Sequence, residues 1–138
     1  MIPGVDAPTM AAIATGHHGS KFGLPLDEAR KAIDHMQASS RFDIRGIHLH
    51  IGSQILTVDA FAEAVAAVAG LGSFPVYDVG GGLGVRYRRE DKAPSVDEYL
   101  DTITAAAATH LPNDAELWIE PGRSLVAHAA VTLYRVVT

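Results

Sequence analysis

Three short β-rich segments, IRGIHLHI (Ile44–Ile51), PVYDV (Pro75–Val79) and AELWI (Ala115–Ile119), recur along the chain with a helical pattern between each pair. This alternation constrains the fold more than any other feature, because strand–helix repeats of this length build βα units and a parallel sheet. Ahead of the first strand, Leu26, Ile33 and Met36 share one helical face behind the acidic Asp27 and Glu28. Thr57 opens a second helix with an apolar stripe of Val58, Phe61, Val65 and Val68, which Gly70 and Gly72 can stop. Ser95 and Glu98 stand at capping-box spacing before Tyr99, Leu100 and Ile103. Residues 1–20 read as loop with one short helix near Thr9–Ala14, and the C-terminal AAVTLYRVVT reads as a further strand. Parallel strands are covered on both faces, which suits the apolar VYDV and LWI. A doubly wound sheet and a segment of a (β/α)8 barrel both satisfy the pattern, and both place function at the carboxyl ends of the strands.

The unusual residues lie at those ends: His48 and His50, then Gly80 to Gly84, then Glu120 to Arg123. Glycines after a strand let backbone N–H groups approach a bulky anion, usually a phosphate. The run is neither a dinucleotide fingerprint, which would need glycine at Val85, nor a P-loop, which would need Gly-Lys-Ser/Thr. A tight turn with no ligand explains it equally well. Strand alternation puts His48 and His50 on one face and Ile47, Leu49 and Ile51 on the other. Two such histidines could ligate a metal, but no third ligand is evident. The plain reading is a pair of packed, hydrogen-bonded side chains, and a ring stacked on a planar ligand is a third option. In WIEPGRS, Pro121 holds Glu120 extended, Gly122 frees backbone, and Arg123 offers a planar fork for a carboxylate or phosphate. A carboxylate, a bare N–H and a guanidinium within four residues favour a ligand site over a surface Glu–Arg pair. Together these pieces suit one phosphorylated, planar, protonatable ligand, and pyridoxal phosphate has all three properties.

Other classes are excluded or unsupported. The 138 residues suffice for one domain. A net charge of -5, with RYRR followed at once by Glu90 and Asp91, argues against a nucleic-acid surface. The absence of cysteine excludes a disulfide framework or thiolate metal site within this chain. No membrane span or secretory pattern is present, so a cytoplasmic location is expected.

Four ordered motifs, TGHHGSKFGLPLDEA, GIHLHIGSQI, YDVGGGLGVRY and IEPGRSLVA, resemble those of diaminopimelate decarboxylases. These belong to the alanine-racemase-like barrel decarboxylases, which depend on pyridoxal 5′-phosphate. The resemblance implies an α/β fold, a partial (β/α)8 TIM-type barrel with parallel strands alternating with helices, and residues 1–138 as a single partial cofactor-binding domain. A whole barrel takes about 250 residues, so the match is to the later half, with residues 129–138 leading toward a C-terminal β domain. It further implies decarboxylation of meso-diaminopimelate to lysine and CO2, with arginine or ornithine as alternative substrates.

Position by position, the resemblance implies that His50 stacks on the cofactor ring, Ser53 and Gly80, Gly81 and Gly82 contact the phosphate, and Glu120 partners the pyridine nitrogen. Gly122 matches a further phosphate contact, and Arg123 matches a residue binding phosphate and a substrate carboxylate. His48 has no implied role and is expected to pack in the core; Lys21 is not in the motif of the cofactor-binding lysine. That lysine, and a cysteine segment completed across a dimer interface, are expected outside this stretch, so no catalytic residue and no metal ligand is assigned. The expected partners are an amino-acid substrate and either a second copy or a complementary fragment, because a partial barrel leaves edges and interior open. The competing functional class is a non-catalytic phosphate- or cofactor-binding half-barrel.

Overall fold

In the computed structural model, residues 1–4 and 22–136 are described; the helix expected near Thr9–Ala14, and Lys21, lie outside them. The element order is α1 (Leu26–Gln37), β1 (Gly46–His48), α2 (Asp59–Ala69), β2 (Val76–Asp78), α3 (Val96–His110), β3 (Glu116–Trp118) and α4 (Gly122–Val126). The three strands are parallel in the order β1-β2-β3. Ile47, Tyr77 and Leu117 stand abreast, as do His48, Asp78 and Trp118. Pairing continues past the regular ladder through Leu49 N–H to Asp78 O (2.9 Å), Val79 N–H to Trp118 O (3.0 Å) and Glu120 N–H to Gly80 O (2.8 Å). These bonds carry the strand ends, where the candidate residues sit, in register.

Among the described residues, helices cover only one face of the sheet. Ile47, Leu49, Tyr77 and Val79 pack into a single core with Phe61, Val65 and Val68 of α2 and Tyr99 and Ile103 of α3. On the other face His48 and Trp118 are exposed and Asp78 is half-buried. Strands in chain order, with all this packing on one side, make a curved barrel wall. A doubly wound sheet would reverse its strand order and carry helices on both faces, so the barrel alternative is the one adopted. The expectation of two covered faces fails here because Gly46, His48, Val76, Asp78, Glu116 and Trp118 line the concave side, which no described helix meets.

The core is anchored by large side chains, each contributing about 1.5–3 kcal/mol on burial. Phe61 and Tyr99 meet edge to face at 4.8 Å, joining α2 to α3. Tyr77 donates its hydroxyl to Gly72 O (2.7 Å) and accepts from Phe74 N–H (3.2 Å), tying the strand to the turn before it. The expected helices form, with adjusted ends. Ser95 and Glu98 make the full capping box on α3. Helix α2 begins at Asp59, two residues later than Thr57, and Val58 takes the capping position without a side-chain bond. The C-terminal strand is not found: residues 130–136 have no regular structure, and Val131, Leu133, Tyr134 and Val136 are exposed. A β pattern needs a neighbouring strand to pair with, and none of the described residues supplies one.

Candidate functional site

The glycine run answers first to packing. Gly80 and Gly82 have φ of 68° and 107°, which side-chain-bearing residues rarely adopt. A Cβ built at Gly80, Gly81 or Gly82 would fall 2.3, 2.1 and 2.2 Å from the carbonyl oxygens of Leu49, Glu120 and Gly52. The bare backbone therefore lets the loop after β2 lie in contact with the loops after β1 and β3 at once. Its donors are partly used in doing so: Gly80 N–H bonds Asp78 Oδ1 (2.9 Å) and Gly81 N–H bonds His50 Nδ1 (3.3 Å). The second bond makes Nδ1 of His50 an acceptor. Gln54, the one described non-glycine residue at positive φ (56°), clamps the same loop. Its amide donates to Val85 O (2.6 Å) and accepts from Val85 N–H (3.2 Å).

Glu120 and Arg123 part company at a tight turn. Pro121 has φ −80° and ψ 48°, and Gly122 N–H returns to Glu120 O at 2.8 Å, an inverse γ-turn. The carboxylate of Glu120 lies on the open sheet face, 3.2 Å from His48 Nε2. Arg123 turns the other way. Its Nη2 donates to Ser53 Oγ and its Nη1 to Tyr87 Oη, both at 2.7 Å. Its Nε is buried without an acceptor among the described residues. The surface Glu–Arg pair weighed from sequence does not form.

The structure thus brings His50, Ser53, Gly80, Gly81, Gly82, Glu120 and Arg123 together at one rim of the sheet. Gly122 sits beside them, its N–H already bonded and its Cα facing open space, with nothing within 4 Å of a built Cβ. His48 is a correction. Its side chain is 53% exposed and paired with Glu120, because alternation places it on the uncovered face rather than in the core. Three residues escaped sequence reasoning: Asp78, Gln54 and Tyr87. Asp78 completes a trio with His48 and Glu120 whose potential ligand atoms lie within 4.8 Å of one another. Alternation from a strand ending in Asp-x-Gly could have placed it there, beside the two residues that the sequence alone showed. A cavity of about 360 Å³ lies against this rim, lined by Met1, Phe22, Gly23, His48 and His50.

The chain is similar to known proteins in both sequence and fold. Diaminopimelate decarboxylase from Staphylococcus aureus is 38% identical over 99% of this chain and 35% of its own length. A crystal structure of diaminopimelate decarboxylase from Helicobacter pylori complexed with L-lysine superposes with a TM-score of 0.82 at 32% identity, covering 92% of this chain and 33% of that one. Lysine/ornithine decarboxylase from Vibrio vulnificus, complexed with putrescine, is more distant: TM-score 0.65, 25% identity, 75% of this chain and 30% of that one. The chain therefore spans about a third of the length of the relatives it matches. Residues 1–127 match the profile of the pyridoxal-dependent decarboxylases, pyridoxal binding domain, and the chain belongs to that family.

Proposed function

We propose that this chain supplies the surface that holds the phosphate and ring of pyridoxal 5′-phosphate in an enzyme decarboxylating meso-diaminopimelate to lysine and CO2. The observation that carries this reading is the meeting of three strand-end loops, fixed by the 2.7 Å bond between Arg123 Nη2 and Ser53 Oγ and by the contact of Gly81 with the Glu120 carbonyl. The residues suit the cofactor at three points. Arg123 keeps a buried Nε with no acceptor among the described residues, a donor that an oxyanion would satisfy. Space is open at Gly122. Glu120 is a carboxylate on an open face, available to a protonated ring nitrogen.

When bound, pyridoxal phosphate supplies an electron sink for the carbanion left as CO2 departs. The chain's own contribution is binding and proton placement. Arg123, Ser53 and the glycine loop hold the phosphate, and His50, anchored by Gly81 N–H, offers a flat ring to stack on. Glu120 holds a proton at the pyridine nitrogen, and Arg123 is also within reach of a substrate carboxylate. None of these residues is assigned as the lysine that anchors the cofactor, so their roles are binding and orientation. Its open concave face, with Trp118 and Val76, pairs with the rest of the barrel.

The test is a chimera in which these residues replace the matching third of the Staphylococcus aureus enzyme. CO2 release from meso-diaminopimelate, well above that from ornithine or arginine, is the expected result. A folded chimera preferring ornithine or arginine would overturn the substrate assignment. A folded chimera that binds pyridoxal phosphate without decarboxylating any of the three would favour the non-catalytic half-barrel. The greater similarity to diaminopimelate decarboxylases than to the lysine/ornithine enzyme supports the first outcome.

A further inference from the structure

Arg123 is a half-buried cation with no carboxylate within 4 Å among the described residues. Two neutral hydroxyls hold it instead, Ser53 on one side and Tyr87 on the other. Leaving a guanidinium partly desolvated and uncompensated is unfavourable unless an anion completes the site. Holding it in one place also restrains a long side chain that would otherwise sample many rotamers. Tyr87 is well fixed for this task. Its own N–H and that of Arg88 both bond Asp91 Oδ2, at 3.1 and 2.9 Å. Two residues earlier, Val85 is clamped by Gln54. Yet Tyr87 is 60% exposed, so it contributes little to the core.

We propose that Tyr87 is a positioning residue for Arg123, holding the guanidinium where it receives an oxyanion, either a phosphate monoester or a carboxylate. This deepens the anion-binding reading above and rests on it. The hydroxyl, not the ring face, is the operative contact. The guanidinium carbon lies 5.8 Å from the ring centroid, near the outer limit of about 6 Å for a cation–π interaction, whereas the Nη1–Oη bond is 2.7 Å. Tyr87→Phe should therefore lose most of what Tyr87→Ala loses.

Two measurements on the chain and both variants test this. The first is titration with inorganic phosphate, pyridoxal 5′-phosphate and meso-diaminopimelate, read by calorimetry. Binding should weaken about fivefold in either variant, the size of one net hydrogen bond, with melting temperature unchanged. Weakening confined to the two phosphates identifies a phosphate as the anion, and weakening confined to meso-diaminopimelate identifies a carboxylate. The second is 15N relaxation of the Arg123 Nε–H without any ligand, which should be ordered in the native chain and mobile in both variants. Unchanged affinities together with an equally ordered Arg123 would overturn the proposal. A native chain that bound none of the three anions would overturn the anion reading by itself, while the relaxation data would still decide whether Tyr87 orders Arg123.

Discussion

Two glycines of the candidate site should respond to the same substitution in opposite ways. At Gly81 a new Cβ would stand 2.1 Å from Glu120 O and 3.0 Å from the Glu120 carbonyl carbon, both backbone atoms that no rotamer change can move. Ordinary contact begins near 3.4 Å, so the loops after β2 and β3 must separate by more than about 1 Å. That separation stretches the Glu120 N–H to Gly80 O bond, now 2.8 Å, and the 3.3 Å bond from Gly81 N–H to His50. Two weakened hydrogen bonds at about 0.5 kcal/mol each, with overpacking of about 2 kcal/mol, give a loss near 3 kcal/mol. With a urea dependence of about 2 kcal/mol/M the midpoint falls by about 1.5 M. At Gly122, where a Cβ meets nothing within 4 Å, alanine should be neutral or stabilising by up to about 1 kcal/mol. Urea unfolding followed at Trp118, the single tryptophan, measures both. Equal midpoints for Gly81→Ala and the native chain would refute the claim that the glycine run exists to bring these loops into contact.

Other consequences follow from single side chains. Tyr99 has a buried hydroxyl with no partner among the described residues, so Tyr99→Phe should stabilise the fold by up to about 1 kcal/mol at neutral pH. Burial, reinforced by the negative charge of Asp78, pushes that hydroxyl up to about 12. The folded chain therefore keeps its proton while an unfolded tyrosine ionises near pH 10. Stability should fall between about pH 10 and 12, and less steeply in Tyr99→Phe, as alkaline thermal melts would show; identical slopes would contradict this. Gln54→Ala removes two bonds to Val85 while keeping an unfavourable positive φ, and should cost about 2 kcal/mol in urea unfolding. Gln54→Gly should cost about 1 kcal/mol less, because glycine accepts that conformation; the reverse ranking would remove the clamp from the account.

Local features were legible in the sequence, and pairing across the chain was not. The capping box of Ser95 and Glu98 and the α2 stripe of Phe61, Val65 and Val68 are written within one or two turns, and both are found. Period-two alternation likewise predicted His48 and His50 opposite Ile47, Leu49 and Ile51. Alternation cannot say which face will be covered, and the core lies on the side opposite His48. Met36 and Leu26 fell on the right helix, yet only Ala29 and Ile33 of α1 are fully buried, because a stripe marks a direction and not a depth. The five-residue α4 is too short for any period to show. The site was found as three clusters of unusual residues at strand ends. Gln54 and Tyr87 were missed because their importance lies in what they touch 31 and 36 residues away.

Glu120 and Arg123 carry opposite charges three residues apart, yet the Pro121 turn sends them to different partners. Had they paired with each other, an exposed ion pair would have contributed about 0–1 kcal/mol and left neither charge for a ligand. Instead the cation rests on hydroxyls, and the carboxylate rests on His48. Each is held in position without a permanent countercharge. That arrangement suits a ligand with an anionic end and a cationic end, as pyridoxal phosphate has once its ring nitrogen is protonated. Supplying Glu120 with a permanent cation should spoil one end only. In His48→Lys, an ammonium near the carboxylate competes with a ring cation for an interaction of about 1 kcal/mol at this exposure. Binding of pyridoxal 5′-phosphate should weaken about fivefold, while inorganic phosphate, which engages only the Arg123 end, should bind as before. Equal weakening of both ligands would mean that the lysine had disturbed the loops generally. Unchanged binding of pyridoxal 5′-phosphate would mean that Glu120 does not face the ring nitrogen at all.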